Sequence, residues 1–200
     1  VLHRGDYVDE SVKAIQLLLT ERETSFSGNT MNFNNIESFP KAVQSPLPIL
    51  SGGNSLGARR RAGRHCNGWL PACLTPDEYQ DGLAEITSEA ELNSRTLDNF
   101  ENALQLAVSI ASTHEAAVRR FRSSQVHAHL HSLSSSTLKG KLDGDLEGRN
   151  LVGTPDEIRE KISIYSDAGV DTFAGLLFAV DTVEETLDSM AMFAEEVMGQ

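Results

Sequence analysis

The sequence Thr-Pro-Asp-Glu occurs twice, at residues 75–78 and 154–157, and both copies read as helix starts. Thr is a cap whose oxygen accepts from a first-turn N–H. Pro suits the first helical position, where an N–H would go unpaired, and the acid at the third can reach back to the cap. Short apolar runs alternate with these and similar starts. Ile49-Leu50-Ser51 stops at Gly52-Gly53, and a helix follows with Asn54 or Ser55 as cap, Leu56, Ala58 and Ala62 along it and Gly63 near its end. Asn67–Pro71 is a second strand, followed by a helix from Thr75 to about Leu92. A third strand spans Leu104–Ile110. Ile158, Ile162, Tyr165 and Ala168 line a helix ended by Gly169, and Val170–Phe178 is the fourth strand. A last helix covers 182–198. Strands alternating with helices of this length predict an α/β fold with a parallel sheet.

Two arrangements fit that order: an open doubly wound sheet, or part of a (β/α)8 barrel. A complete barrel takes about 250 residues, so 200 residues are too few for eight units. Residues 1–45 read as a helix over 8–20, then a turn-rich loop over 24–35 with a short hairpin around Phe26 and Phe33. Residues 46–200 carry the four strand–helix units. Between 112 and 150, Thr113–Arg122 has helical character, whereas 132–136 and 140–148 are rich in Ser and Gly and read as flexible.

Charge excludes one class of partner. A net charge of −12, with 29 acids against 17 bases, does not suit the phosphate-neutralising surface that nucleic acid requires. The basic run Arg59, Arg60, Arg61, Arg64 is either a solvated helix face or a source of charge for an anionic cofactor. Cys66 and Cys73 make neither a disulfide framework nor a zinc pattern, and reduced thiols fit a cytoplasmic protein. No run approaches the roughly 18 apolar residues of a membrane span. The first residues, Val1 to Asp6, lack the apolar core of a signal peptide and read as a chain entered partway.

In parallel α/β folds, ligands bind at the C-terminal ends of strands. Gly52-Gly53-Asn54-Ser55 is therefore the segment to watch, as either a plain turn or an anion cradle. Glycines let backbone N–H groups approach an anion, the helix start adds positive character, and the Asn54 amide and Ser55 hydroxyl can donate. Trp69, at the end of the second strand, could wall a flat ring or simply fill the core. His127, His129 and His131 would share a face on a strand and could hold a metal. No acid or Cys stands near them, so an exposed polar segment is the expectation there, with no metal site.

The chain also resembles the luciferase-like monooxygenase family along nearly its whole length. Arg4-Gly5-Asp6-Tyr7 with Asp9-Glu10 is similar to a family helix, and Phe26-x-Gly28 to the segment after it. Pro40-x-x-x-Gln44-x-Pro46-x-Pro48-x-x-x-Gly52-Gly53 resembles the family's glycine-ended strand. Arg60 to Pro71, Leu151 to Ile158, and Tyr165-x-x-Ala168-Gly169-Val170-Asp171 resemble later motifs. One departure is Asn67, where the family usually has Asp. The resemblance implies a (β/α)8 barrel of the bacterial luciferase-like type, of which only the C-terminal four or so units are here. It implies FMN or coenzyme F-420 as cofactor and a small organic substrate for hydride transfer or monooxygenation. By the same resemblance Gly52, Gly53, Asn54 and Ser55 contact the cofactor phosphate, with Trp69 nearby. The family's first four strands have no counterpart, so no catalytic residue is assigned and the piece is expected to be inactive alone. A non-catalytic flavin-binding or interaction protein derived from the barrel remains the alternative, and homo-oligomer formation stays open.

Overall fold

The computed structural model describes residues 4–45, 47–133 and 145–199. Helix α1 (Arg4–Thr20) leads into a hairpin, β1 (Thr24–Ser27) and β2 (Asn32–Ile36). The hairpin turn is pinned by Glu10, which accepts from the N–H of Asn29 and Thr30 at 2.7 and 2.8 Å. Bonds from the Thr30 hydroxyl and these N–H groups hold the Glu10 carboxyl below its usual range. Then come β3 (Leu50–Gly52), α2 (Leu56–His65), β4 (Gly68–Leu70), α3 (Pro76–Leu92), β5 (Glu101–Leu104), β6 (Ala107–Ile110), α4 (His114–Ser123) and α5 (Gln125–Ser132). The chain closes with β7 (Leu151–Gly153), α6 (Pro155–Asp167), β8 (Thr172–Phe173), β9 (Leu177–Phe178) and α7 (Val183–Met192), which runs into a π-helical turn, Phe193–Met198.

Strand order decides between the two arrangements. β3, β4, β5 and β8 lie side by side in that order, all parallel. A doubly wound sheet reverses direction partway. A sheet that adds each new strand on the same side is the wall of a barrel, and only the short β7, which lies across β6 from β9, departs from that order. Among the described residues β3 pairs only with β4, and β8 and β9 each pair on one side only, so both flanks of the wall are open edges.

Two expected strands are broken. The third begins at Glu101 and is interrupted between Leu104 and Ala107. Before the break it runs beside β4, with Gln105 N–H donating to Pro71 O at 2.9 Å. After it, β7 takes over as the neighbour of β6. The fully buried Asn150 seals the changeover: its Oδ1 accepts from Ala107 N–H at 2.8 Å and its Nδ2 donates to Leu146 O at 2.7 Å. The fourth strand breaks likewise into β8 and β9, around Gly175 with φ 65°. β7 itself was not expected as a strand, because three residues are too short for alternation to show. The Ser- and Gly-rich stretches lie mostly outside the described residues. What is described of them includes a buried Leu146.

Both Thr-Pro-Asp-Glu starts form complete capping boxes, Thr75 with Glu78 and Thr154 with Glu157. Each such cap is worth about 1 kcal/mol. Gly63 falls near the end of α2, as expected. It lies where α3 crosses, and a Cβ there would stand 2.6 Å from Ile86 O. One core cluster, with Trp69, Tyr79, Ile86, Leu104 and Tyr165, fills the space between wall and helices. Its two tyrosine hydroxyls donate to Ala103 O at 3.1 Å and Leu74 O at 2.8 Å, so neither is buried unpaired. A second cluster, around Ala107, Phe121 and Leu130, sits under α4 and α5.

Candidate functional site

At the C-terminal end of β3 the backbone turns sharply into α2. Gly53 has φ 109°, a conformation closed to most side chains. Its N–H donates to Leu70 O at 3.1 Å, and its carbonyl accepts the indole N–H of Trp69 at 2.9 Å. Asn54 forms a reciprocal pair with Ala72: Nδ2 donates to Ala72 O at 2.8 Å, and Oδ1 accepts from Ala72 N–H at 2.9 Å. Ser55, not Asn54, caps α2, its Oγ accepting from Ala58 N–H at 3.2 Å.

Above this corner is a depression of about 380 Å³, lined by Arg4, Gly5, Gly52, Ser55, Gly57 and Arg61 among others. The first turns of α1 and α2 meet in it. A Cβ at Gly52 or Gly57 would meet only ordinary van der Waals contacts, with Leu70 O at 4.0 Å and Ser55 Oγ at 3.9 Å, so neither glycine is closed in by its neighbours. The N–H groups of Leu56 and Gly57, in the first turn, have no intrahelical acceptor, and the α2 dipole adds positive character. The Ser55 hydroxyl, while accepting from Ala58, keeps its own proton to donate. Arg61 is held against α1, its Nε donating to Asp9 and its Nη2 to Gly5 O at 3.2 Å. Exposed backbone donors, a hydroxyl and the nearby cations Arg4 and Arg61 make a surface suited to a small anion such as a phosphate.

The residues singled out from sequence divide by role. Gly52 and Ser55 line the depression. Gly53 and Asn54 shape the turn beneath it, and the Asn54 amide is committed on both sides to Ala72. Trp69 does not wall an open ring site. It is fully buried and stacked on Tyr79 at 5.1 Å and 25°. It also packs against Gly82 of α3, where a Cβ would lie 2.3 Å from the indole. Helix α3 covers it, and it reaches the site only through the Gly53 carbonyl.

The arginine run is not one solvated face either. Arg59 pairs with Glu85 at 3.0 Å, and Arg60 and Arg64 pair with Glu89 at 3.5 and 2.6 Å. The hydrogen bond from Arg64 is the main cause holding the Glu89 carboxyl below its usual range. Arg61, three residues beyond Ala58, points to the opposite side, toward α1 and the depression. Arg4, Gly57 and the specific place of Arg61 were missed from sequence. Helical spacing separates Arg61 from its neighbours, but nothing in the sequence brings α1 alongside. The three histidines fall on α5, a helix, so alternation does not put them on one face.

A profile of the luciferase-like monooxygenase family matches residues 3–172. The FMNH(2)-dependent dimethylsulfone monooxygenase of Pseudomonas putida is 27% identical over 197 residues, covering 88% of this chain and 54% of that protein. Among solved structures, an F420-dependent secondary alcohol dehydrogenase superposes with TM-score 0.75 at 17% identity, over 98% of this chain and 61% of that one. A long-chain alkane monooxygenase also gives 0.75, at 18% identity, over all of this chain and 56% of that one. The chain thus spans about half the length of the curated relative it matches, and its parallel wall is part of a luciferase-like barrel. A sequence-ordered wall, a glycine-turned first strand and a family profile running from residue 3 to 172 agree: the chain belongs to the luciferase-like monooxygenase family.

Proposed function

We propose that this chain is the anion-binding portion of a luciferase-like oxidoreductase that uses FMN or coenzyme F-420 on a small organic substrate. The observation that carries this is the convergence of two helix starts on the open glycines at the end of β3. Gly52, Ser55 and the N–H groups of Leu56 and Gly57 would hold the cofactor's phosphate. Gly53 and Asn54 set the turn, and Trp69 fixes the Gly53 carbonyl so that the turn cannot relax. When bound, the redox ring supplies hydride transfer or oxygen activation. The residues of this chain bind and orient its anionic tail, and α3 keeps water from the turn's underside.

The rest of the barrel lies outside this chain's share of the fold. A four-strand wall has an uncovered inner face and two unpaired edges, so we expect no turnover from it alone. Burial raises the thiols of Cys66 and Cys73 to about 11. They stay protonated and unreactive at neutral pH, as suits a cytoplasmic enzyme.

Fluorescence titration with FMN and with F-420, alongside the melting temperature in inorganic phosphate, tests the site. Phosphate probes the corner without needing the missing ring contacts. Gly52→Val places methyl groups in the depression and should weaken phosphate and cofactor by about tenfold, 1.4 kcal/mol, with little change in melting temperature. No stabilisation by phosphate, together with no binding of either cofactor, would overturn the proposal.

A further inference from the structure

Helix α5 carries His127, His129 and His131, which take no part in the cofactor corner. On a helix, residues four apart share a face and residues two apart do not. His127 and His131 therefore stand one above the other, and His129 is turned away. The rings of His127 and His131 are 4.9 Å apart between centroids, inclined at 67°. Two imidazoles bound side by side to one ion through N–metal bonds of about 2.0–2.1 Å hold their centroids on the order of 5 Å apart. The pair already stands at that separation.

The two arms differ usefully. His127 is partly buried and set edge-on against Phe121 at 5.2 Å. Phe121 is itself fully buried, so this arm is braced. His131 is exposed, so a hydrated ion can reach it. Burial also lowers the His127 pKa, which favours the neutral ring that ligates metals.

We propose that His127 and His131 form a two-nitrogen chelate for a late first-row divalent cation. Imidazole and the general affinity order put Cu²⁺ first, with Ni²⁺ and Zn²⁺ behind it. Among the described residues no three His, Cys, Asp or Glu gather around one point, so the described residues supply two protein nitrogens, and water would complete the shell around them. Hard cations such as Mg²⁺ and Ca²⁺, which need oxygen ligands, are not held. Glu147 acts on His127 through space, but its carboxylate is engaged by Arg122 at 2.5 and 3.0 Å. It balances the Arg122 charge beside the site and does not ligate. The effect of the ion is local: it staples one face of a helix eight residues long, too short to be stable by itself. Because the unfolded chain does not hold the rings together, binding stabilises the folded form by mass action.

The test is a Cu²⁺ titration of the tag-free 200-residue chain carrying His3→Gln, so that a free amine and a third-position imidazole do not capture the ion, followed by electron paramagnetic resonance and melting temperature. One equivalent should bind with a two-nitrogen signature and raise the melting temperature. His127→Gln and His131→Gln should each weaken binding by at least about tenfold, the loss expected even from a defect outside the ligands themselves. His129→Gln should leave it unchanged. Since His131 is exposed, its variant keeps the test valid even if the His127 variant folds poorly. No stoichiometric binding, survival of the two-nitrogen signal in His131→Gln, or an equal loss in His129→Gln would overturn the proposal.

Discussion

The two flanks of the parallel wall are built to different standards. At the β3 flank, α2 and α3 are bound to each other and to the sheet by paired groups. Arg95 donates to Ala62 O and Gly63 O, both at 3.0 Å, and to Cys66 O, closing the C-terminal carbonyls of α2 that a helix leaves open. Trp69 and Asn54 hold the turn from below. At the β9 flank, α7 shows an apolar stripe to solvent: Val183 is 78% exposed, Leu187 61% and Met190 48%. These residues recur at helical spacing, the pattern of a face made to be covered. Both flanks are open edges, but only one has its helices locked. The β3 corner is organised by contacts within this chain. The β9 flank leaves its helix stripe uncovered by any described residue of this chain.

The largest consequence concerns activity. The isolated chain should show no turnover with reduced FMN or reduced F-420, because it spans about half of its curated relative and, as proposed, supplies only the phosphate-binding side of the cofactor site. Its uncovered flank should bind a hydrophobic dye, and amides of β9 and α7 should exchange hydrogen faster than those of β4 and α3. Robust turnover by the monomeric chain would break the comparison at its root.

Next in size is the core beneath the glycine turn. Trp69→Ala should cost about 3–5 kcal/mol, the usual price of emptying a buried aromatic site. Trp69→Phe keeps most of the packing but removes the N–H bonded to Gly53 O. It should cost about 0.5–1.5 kcal/mol, the net worth of one hydrogen bond to a partly buried acceptor, and should weaken phosphate binding as well. Urea unfolding with and without phosphate separates the two effects. A Trp69→Phe protein with full stability and full phosphate response would show that the indole N–H does not set the turn.

A third prediction uses pH, with opposing groups. Cys66 and Cys73 are raised by burial from 9.0 to about 11. Their contribution is complete below pH 9 and is lost as pH rises to 11, because the unfolded thiols ionise first. Lys161, partly buried, is lowered by desolvation from 10.5 to about 8 while donating to Glu147 O and Asn150 O. Its burial cost is present in full below pH 8 and is relieved by pH 10.5. Each group is worth about 3 kcal/mol across its window. Stability should therefore rise from pH 8 to 9 and fall from 9 to 10, where two cysteines outweigh one lysine. Replacing both cysteines with Ala should turn the slope between pH 9 and 10 from falling to rising. An unchanged slope would mean that the thiols are not shielded as the structure shows.

How much of this was legible in the sequence depended on the range of the interaction. The helix starts at Thr75 and Thr154 were readable because a capping box is contained in four consecutive residues. The turn at Gly52-Gly53 was readable for the same reason. Strand breaks were not: the interruption after Leu104 is created by Asn150 and β7, over forty residues later in the chain, and apolar alternation continues across it. Trp69 could not be placed from its neighbours, since what buries it is Gly82 on the next helix. Arg61 illustrates the limit most clearly. It sits in a run of like residues, and only the packing of α1 beside α2 gives it Asp9 as partner and sets it apart from Arg60 and Arg64. The histidines were read as an exposed polar segment, which His129 and His131 are; only the strand that alternation suggests is absent, because Ser124, whose Oγ accepts from His127 N–H at 3.1 Å, starts a helix there.

The smallest predicted effect sharpens the contrast between flanks most directly. Leu187 lies in the middle of the α7 stripe and is mostly in solvent. In the isolated chain Leu187→Ser should change stability by less than about 0.5 kcal/mol, as for surface sites generally, and should reduce dye binding. At the other flank a residue of similar size, Ile86 of α3, has no exposure at all, and Ile86→Ala should cost about 2–5 kcal/mol. If the stripe is a face awaiting cover, adding a piece that supplies the missing strands should bury Leu187 and make Leu187→Ser costly only then. A serine equally harmless in both settings would mean that α7 is an outer face of the finished barrel, and that the unpaired edge of β9 alone marks the join.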